Sequence, residues 1–208
     1  MGLMAERWTK QRRLEHTRNV LLDAAEEVFA RKGFDGAALE DIAEVGGYTR
    51  GAIYSHFGSK AELFLAVVER QRQQFLDGFA DVIATFHRLE DLDADELGDR
   101  WRDLVALEGP DRAVLGSEYT LFLLRNPQAR ERVAAQREET VRALADYIDK
   151  GAARLGGHVS IPPLDLARVI LAANDGVTLN SLLDDQAVYR PFLRMVLANI
   201  VVPKSKNP

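Results

Sequence analysis

The sequence predicts an all-α protein, and three observations carry that reading. Apolar residues recur at helical spacing along the chain, sustained period-2 alternation bounded by turn residues is absent, and the breaks fall at glycine or proline pairs. Leu14, Leu21, Ala25, Val28 and Phe29 form the face of a first helix, which Arg31-Lys32-Gly33 closes with cations and a glycine. Leu39, Ile42 and Ala43 mark a short second helix broken by Gly46-Gly47. A third begins at Thr49 and runs to Phe57. A fourth opens on the capping box Ser59-Lys60-Ala61-Glu62 and continues through Leu63, Val67 and Phe75 towards Phe86.

Further on, Leu97, Trp101, Leu104 and Val105 give the acidic stretch 90–111 an apolar stripe. Gly109-Pro110 interrupts it, and a helix over 111–125 stops at Asn126-Pro127. A long helix over 128–155 carries Val133, Val141, Leu144, Ile148 and Leu155 on one side. Gly156-Gly157 and Pro162-Pro163 bracket a loop, and helices over 164–183 and 191–201 follow, for about nine in all.

Composition limits the function. The 208 residues are 47% hydrophobic and 28% charged, as in a soluble globular protein, and no apolar run reaches the roughly 18 residues of a membrane span. There is no cysteine, which removes disulfides, thiolate catalysis and cysteine-ligated metals, and the expected location is cytoplasmic. His16, His56, His87 and His158 are too scattered to hold a metal, and no phosphate loop, Rossmann fingerprint or nucleophile elbow occurs. Asp91-x-Asp93-x-Asp95 starts like a calcium loop, but Glu96 replaces the needed glycine. An enzyme, a cofactor and a metal are therefore not expected. The formal net charge of −5 argues against a polyanion partner, yet residues 1–18 alone carry five basic groups against two acids. A nucleic-acid contact therefore belongs near the N-terminus.

Residues 39–57 have helix-turn-helix spacing, two short helices about a glycine turn. Ala43 is small where helices must cross closely, and Ile42, Ile53 and Phe57 are suited to fill the space against the first helix. An ordinary αα corner has these features too. Three details favour DNA. Gly51 inside a helix lets a backbone approach another surface. Lys60 sits at a helix start, where the dipole repels cations and an anion reverses the sign. Thr49, Arg50, Tyr54, His56 and Lys60 gather phosphate- and base-binding groups within twelve residues, while the acids Glu40, Asp41 and Glu44 lie on the preceding helix instead.

The run from Leu39-Glu40-Asp41-Ile42-Ala43 through Gly47-Tyr48-Thr49-Arg50-Gly51-Ala52-Ile53-Tyr54-Ser55-His56-Phe57-Gly58-Ser59-Lys60-Ala61-Glu62-Leu63 resembles the DNA-binding segment of the TetR/AcrR family of bacterial transcriptional regulators. Ala24-Ala25, Phe29, Gly33 and Phe34 match as well. Two places depart from the family pattern. Tyr48 stands where a valine is usual, and Ala37-Ala38 stand where Ser or Thr usually opens the second helix, a cap worth about 1 kcal/mol.

The resemblance implies a helix-turn-helix domain over 1–60 and a helical ligand-binding and dimerisation domain over 61–208. Arg50 would read a guanine, and Gly51 and Ala52 would let the helix sit deep. Thr49, Tyr54, His56 and Lys60 would hold phosphates, and Tyr48 would reach the DNA backbone itself. Arg7–Arg18 would be either an electrostatic arm or a solvated face. The expected protein is a homodimer on a palindromic operator, a repressor released by a small-molecule effector. Phe79, Trp101, Glu118, Tyr119, Phe122, Asn174, Asp175 and Thr178 are candidates to line the effector site or to be plain core. Helices 128–155 and 164–183 would form the dimer interface or intrachain core. The rival reading is an all-helical protein-interaction module that does not bind DNA.

Overall fold

In the computed structural model, which describes residues 9–85, 93, 95–100, 109–183 and 188–203, nearly every described residue is helical. The helices are α1 (Lys10–Gly36), α2 (Leu39–Gly46), α3 (Arg50–Phe57), α4 (Lys60–Ala84), α5 (95–100), α6 (Gly109–Arg125), α7 (Pro127–Arg154), α8 (Pro163–Leu183) and α9 (Tyr189–Ile200). Two three-residue strands, β1 (Gly157–Val159) and β2 (Val201–Pro203), pair antiparallel with His158 opposite Val202. The sequence gives no sign of these strands, because three residues are too few to display a period of two.

Several boundaries shift for local reasons. α1 starts at Lys10 because the Thr9 hydroxyl accepts from the Arg12 N–H at 3.2 Å. Leu14 is not part of the buried face: it is 50% exposed, since the first turns of α1 extend past the core that begins at Leu21. Gly33 takes φ 70°, ψ 171° and breaks α1, leaving one further turn to Gly36. α6 starts at Gly109 rather than Asp111, because proline in a first turn lacks an N–H that would have no helical partner anyway.

The chain divides into two compact units, 1–71 and 72–208. The first ends well past the Ser59 cap because Leu63, Phe64 and Val67 at the start of α4 are fully buried in it. Its centre is aromatic: Phe64 lies 5.0 Å from Phe29 and 5.1 Å from Phe34 between ring centroids, the first pair edge to face. Such pairs add about 0.5–1.5 kcal/mol beyond area burial. At one side of this core the Arg70 guanidinium bonds Asp23 at 2.6 Å and also Glu26, whose other oxygen accepts from Gln71 at 2.9 Å. These partners are more than forty residues apart, so no local spacing announces them.

The second unit is built from long helices with an aliphatic centre. Leu144, Leu166 and Ala167 are almost fully buried, with Phe75, Phe79, Leu97, Ile170, Val177, Leu193 and Val196 around them. α5 and α9 are tied by Arg190–Asp99 at 2.5 Å and Arg194–Asp95 at 2.6 Å. Gly98 allows that approach, since a Cβ there would lie 2.9 Å from Arg190 Cγ.

Candidate nucleic-acid interface

The helix-turn-helix is assembled from inside outward. Ile42 and Ala43 of α2 and Ile53 and Phe57 of α3 are buried, as are Leu21, Ala24, Ala25 and Val28 of α1, against which α2 packs. Gly46 sits so close to α1 that a Cβ would lie 3.3 Å from Ala24 Cβ. Gly47 then turns the chain with φ 68°, ψ 27°, a left-handed conformation in which a side chain is strained by roughly 1–2 kcal/mol. The missing Ser or Thr before α2 is offset in part: the Asp41 carboxylate accepts from the Ala38 N–H at 3.1 Å. Asp41 also pairs with Lys32 at 2.8 Å, and these two hydrogen bonds, the lysine's first, hold its carboxyl below the ordinary range.

Thr49 is the cap of α3 rather than its first residue, its hydroxyl accepting from the Ala52 N–H at 3.3 Å. That use leaves the hydroxyl hydrogen available as a donor. With Ile53 and Phe57 turned inward, Arg50, Gly51 and Tyr54 are exposed, and Ala52 and His56 are half-buried. Nothing but the Thr49 hydroxyl stands within 4 Å of a Cβ placed on Gly51, so this face of α3 is open to another surface.

Three side chains have partners that the sequence did not suggest. Arg50 pairs with Glu40 at 2.5 Å, its guanidinium 5.8 Å from the Tyr54 ring centre. The acids of α2 therefore do not all stand apart from the basic cluster. The Tyr54 hydroxyl first, then the Glu40 charge, raises the Arg50 pKa further. Tyr48 accepts from the Thr17 hydroxyl at 3.2 Å, which ties the turn to α1 and leaves its own hydrogen to donate. Lys60 donates to the carbonyls of Ala37 at 2.8 Å and Asp35 at 3.3 Å and stands 4.7 Å over the Phe34 ring. Its ammonium thus satisfies the α1–α2 connection.

Beside the cluster, Lys10, Arg12, Arg13 and Arg18 are exposed on α1, with Arg18 stacked 4.5 Å over Phe57; Arg7 lies outside the described residues. Ser55, not singled out from the sequence, is exposed one turn beyond Gly51, and helical spacing alone would have placed it there.

Comparisons with known proteins agree with this geometry. Residues 21–67 match the family model of bacterial regulatory proteins, tetR family. The chain is 28% identical to the HTH-type transcriptional regulator YfiR of Bacillus subtilis over 170 residues, 80% of each chain. It is 45% identical to the HTH-type transcriptional repressor BepR of Brucella suis over 56 residues, 27% of each chain. The solved structure of the multidrug binding protein EbrR complexed with imidazole is 28% identical, with TM-score 0.58, covering 99% of this chain and 100% of its own. The chain belongs to the TetR/AcrR family. It is a DNA-binding transcriptional regulator with an N-terminal helix-turn-helix domain and a C-terminal helical domain.

In TetR/AcrR terms the second unit is where the sequence placed an effector site, and its candidate residues differ in burial. Phe79 and Phe122 are buried, and Glu118, Tyr119, Asn174 and Thr178 are half-buried. Asp175 is exposed, because one residue beyond Asn174 the helix has turned away from the buried stripe of Ala167, Ile170 and Val177. Trp101 lies outside the described residues. Asn174 Oδ1 is buried with no hydrogen-bond partner among the described residues. No cluster of metal-binding side chains and no helix long and apolar enough to cross a membrane occurs among the described residues.

Proposed function

We propose that the chain is a cytoplasmic homodimeric repressor that α3 places in the major groove of a palindromic operator and that a small molecule releases. The observation that carries this reading is the outward face of α3, where Arg50, Gly51 and Tyr54 stand exposed behind a buried Ile53 and Phe57. Arg50 reads a base edge, a guanine by its forked donors. Gly51 and Ala52 permit close approach. The hydroxyls of Thr49, Tyr48 and Tyr54 and the His56 ring donate to phosphates, and Lys60 adds a positive charge beside the α2 start.

One eight-residue helix spans too few base pairs to find a site, so two copies are needed. Support for a dimer comes from α8. Val169 (55% exposed), Leu179 (37%) and Leu183 (80%) share its outer face with the exposed Ala172 and Gly176. Positions 169, 172, 176, 179 and 183 alternate three and four apart, the spacing of a helix–helix seam. Release follows from population shift: an effector held in the second unit lowers DNA affinity by the difference in its own affinity for the free and DNA-bound shapes. The unpartnered Asn174 Oδ1 suits an effector that donates a hydrogen bond.

Selection of bound duplexes from a random pool tests the reading. The expected product is an inverted repeat with half-site centres about one helical turn apart or a multiple of it. Arg50→Ala should relax one position per half-site. A protein that retains no duplex even in dilute salt would overturn the proposal.

A further inference from the structure

Glu40 stands in an unusual place for a carboxylate. It lies in the first turn of α2, 61% exposed, with its Oε1 2.5 Å from Arg50 Nη1, and Arg50 is the first residue of α3. Its neighbour Asp41 is engaged by Lys32 and the Ala38 N–H, so Glu40 meets the arginine in its place. An exposed ion pair contributes little stability, and a carboxylate on a surface that meets phosphates is repelled by them. As a salt bridge alone, Glu40 would weaken the protein's hold on DNA.

A carboxylate does have partners in the major groove, and the best matched is the N4 amine of cytosine. Read across its groove edge, a G·C pair offers two acceptors, guanine N7 and O6, followed by the cytosine donor. Arg50 and Glu40, already in contact, offer two donors followed by an acceptor. An A·T pair alternates acceptor, donor and acceptor, and a C·G pair runs in the opposite order. We propose that Arg50 and Glu40 together read one G·C pair, the arginine on guanine and the glutamate on the N4 amine of its cytosine. Glu40 is then a second specificity-determining residue.

The inference rests on the groove-helix reading above and adds what that helix recognises. Contact before binding has a physical benefit, since the two side chains are already confined and less rotamer freedom is lost on the operator. An A·T or a C·G pair sets the carboxylate against thymine O4 or guanine O6, an acceptor facing an acceptor, so against these Glu40 discriminates by penalty as well as by attraction.

The test uses the full chain and a selected operator, varied only at the position that Arg50→Ala relaxes. Wild type, Glu40→Ala and Glu40→Gln are titrated at one salt concentration against all four base pairs. A fifth duplex there carries guanine opposite a cytosine analogue lacking the N4 amine. Glu40 is exposed, and equal melting temperatures verify that the variants fold. Removing the charge should strengthen binding to the A·T and C·G duplexes in both variants. Glu40→Ala should also lose about tenfold of the preference for G·C over A·T. Glu40→Gln, which keeps an acceptor oxygen, should retain much of that preference. The analogue should weaken wild type about tenfold and leave Glu40→Ala unaffected.

The proposal is overturned if both variants shift all duplexes by one common factor, or if the analogue weakens wild type and Glu40→Ala alike. It also falls if Arg50→Ala relaxes no position. Absence of wild-type binding to any duplex would instead overturn the DNA reading itself.

Discussion

In the unit that ends at Gln71, three aromatic rings meet within 6.1 Å of one another at the junction of α1 and α4. In the unit that begins at Arg72, the centre is spread over aliphatic side chains of α4, α5, α7, α8 and α9, joined outside by arginine–aspartate pairs. A surface that must match a duplex needs its short helices fixed at definite angles. Large rigid rings and glycines with one permitted backbone conformation do that within few residues. The second unit is under no such demand, and Leu, Ile, Val and Ala at helical spacing, with Phe75 and Phe79, are enough to hold it. Rigidity in the first unit is therefore concentrated in single residues, and in the second it is distributed.

The strongest way to break this comparison is to remove one ring. Phe64→Ala takes the centre out of the three-ring contact and should cost about 3–5 kcal/mol, against about 2–5 kcal/mol for Leu144→Ala in the aliphatic core. Hydrogen exchange followed residue by residue separates the two. Phe64→Ala should lower protection over residues 10–71 and abolish duplex binding, while Leu144→Ala should lower it in the second unit. If either variant loosened both units equally, the division into two cores would be wrong.

The same contrast explains what was legible in the sequence. Leu39, Ile42, Ala43, Ile53 and Phe57 were readable as buried because short helices about a glycine turn leave few ways to cover their apolar sides, and each of them is buried. What escaped were contacts between residues remote in the chain. Lys60 reads locally as a cation at a helix start, but its acceptors are carbonyls more than twenty residues earlier. Glu40 and Arg50 sit ten apart on different helices, a separation that no periodicity rule covers. Arg70 finds Asp23 and Glu26 only once α1 and α4 have packed. In the second unit the exposure of Asp175 was not legible, because an apolar helix suggests inward residues all round, whereas the buried stripe of α8 takes in only part of its circumference.

Gly47→Ala sharpens the argument about backbone. Nothing stands within 4 Å of the added methyl group, so the variant isolates conformational strain from packing. The expected loss is about 1–2 kcal/mol in the first unit, read as a lower urea midpoint at unchanged slope. A neutral result would mean that the turn relaxes freely and that the α2–α3 angle is set by the buried side chains alone.

The smallest effect belongs to Asp41, which takes the place of the missing cap before α2. Its hydrogen bonds from Lys32 and the Ala38 N–H depress its pKa in the folded chain. A depressed carboxyl contributes stability that is present above its unfolded pKa, near 4, and is lost as pH falls through the lower folded value. Asp41→Asn should therefore be less stable than wild type in urea titrations at pH 7, and the gap should close as the pH is lowered towards about 3. Because the side chain is on the surface, the difference should also shrink in high salt. A gap that persisted unchanged into acid would mean that asparagine disturbs the start of α2 by its shape, and that charge has no part in holding it.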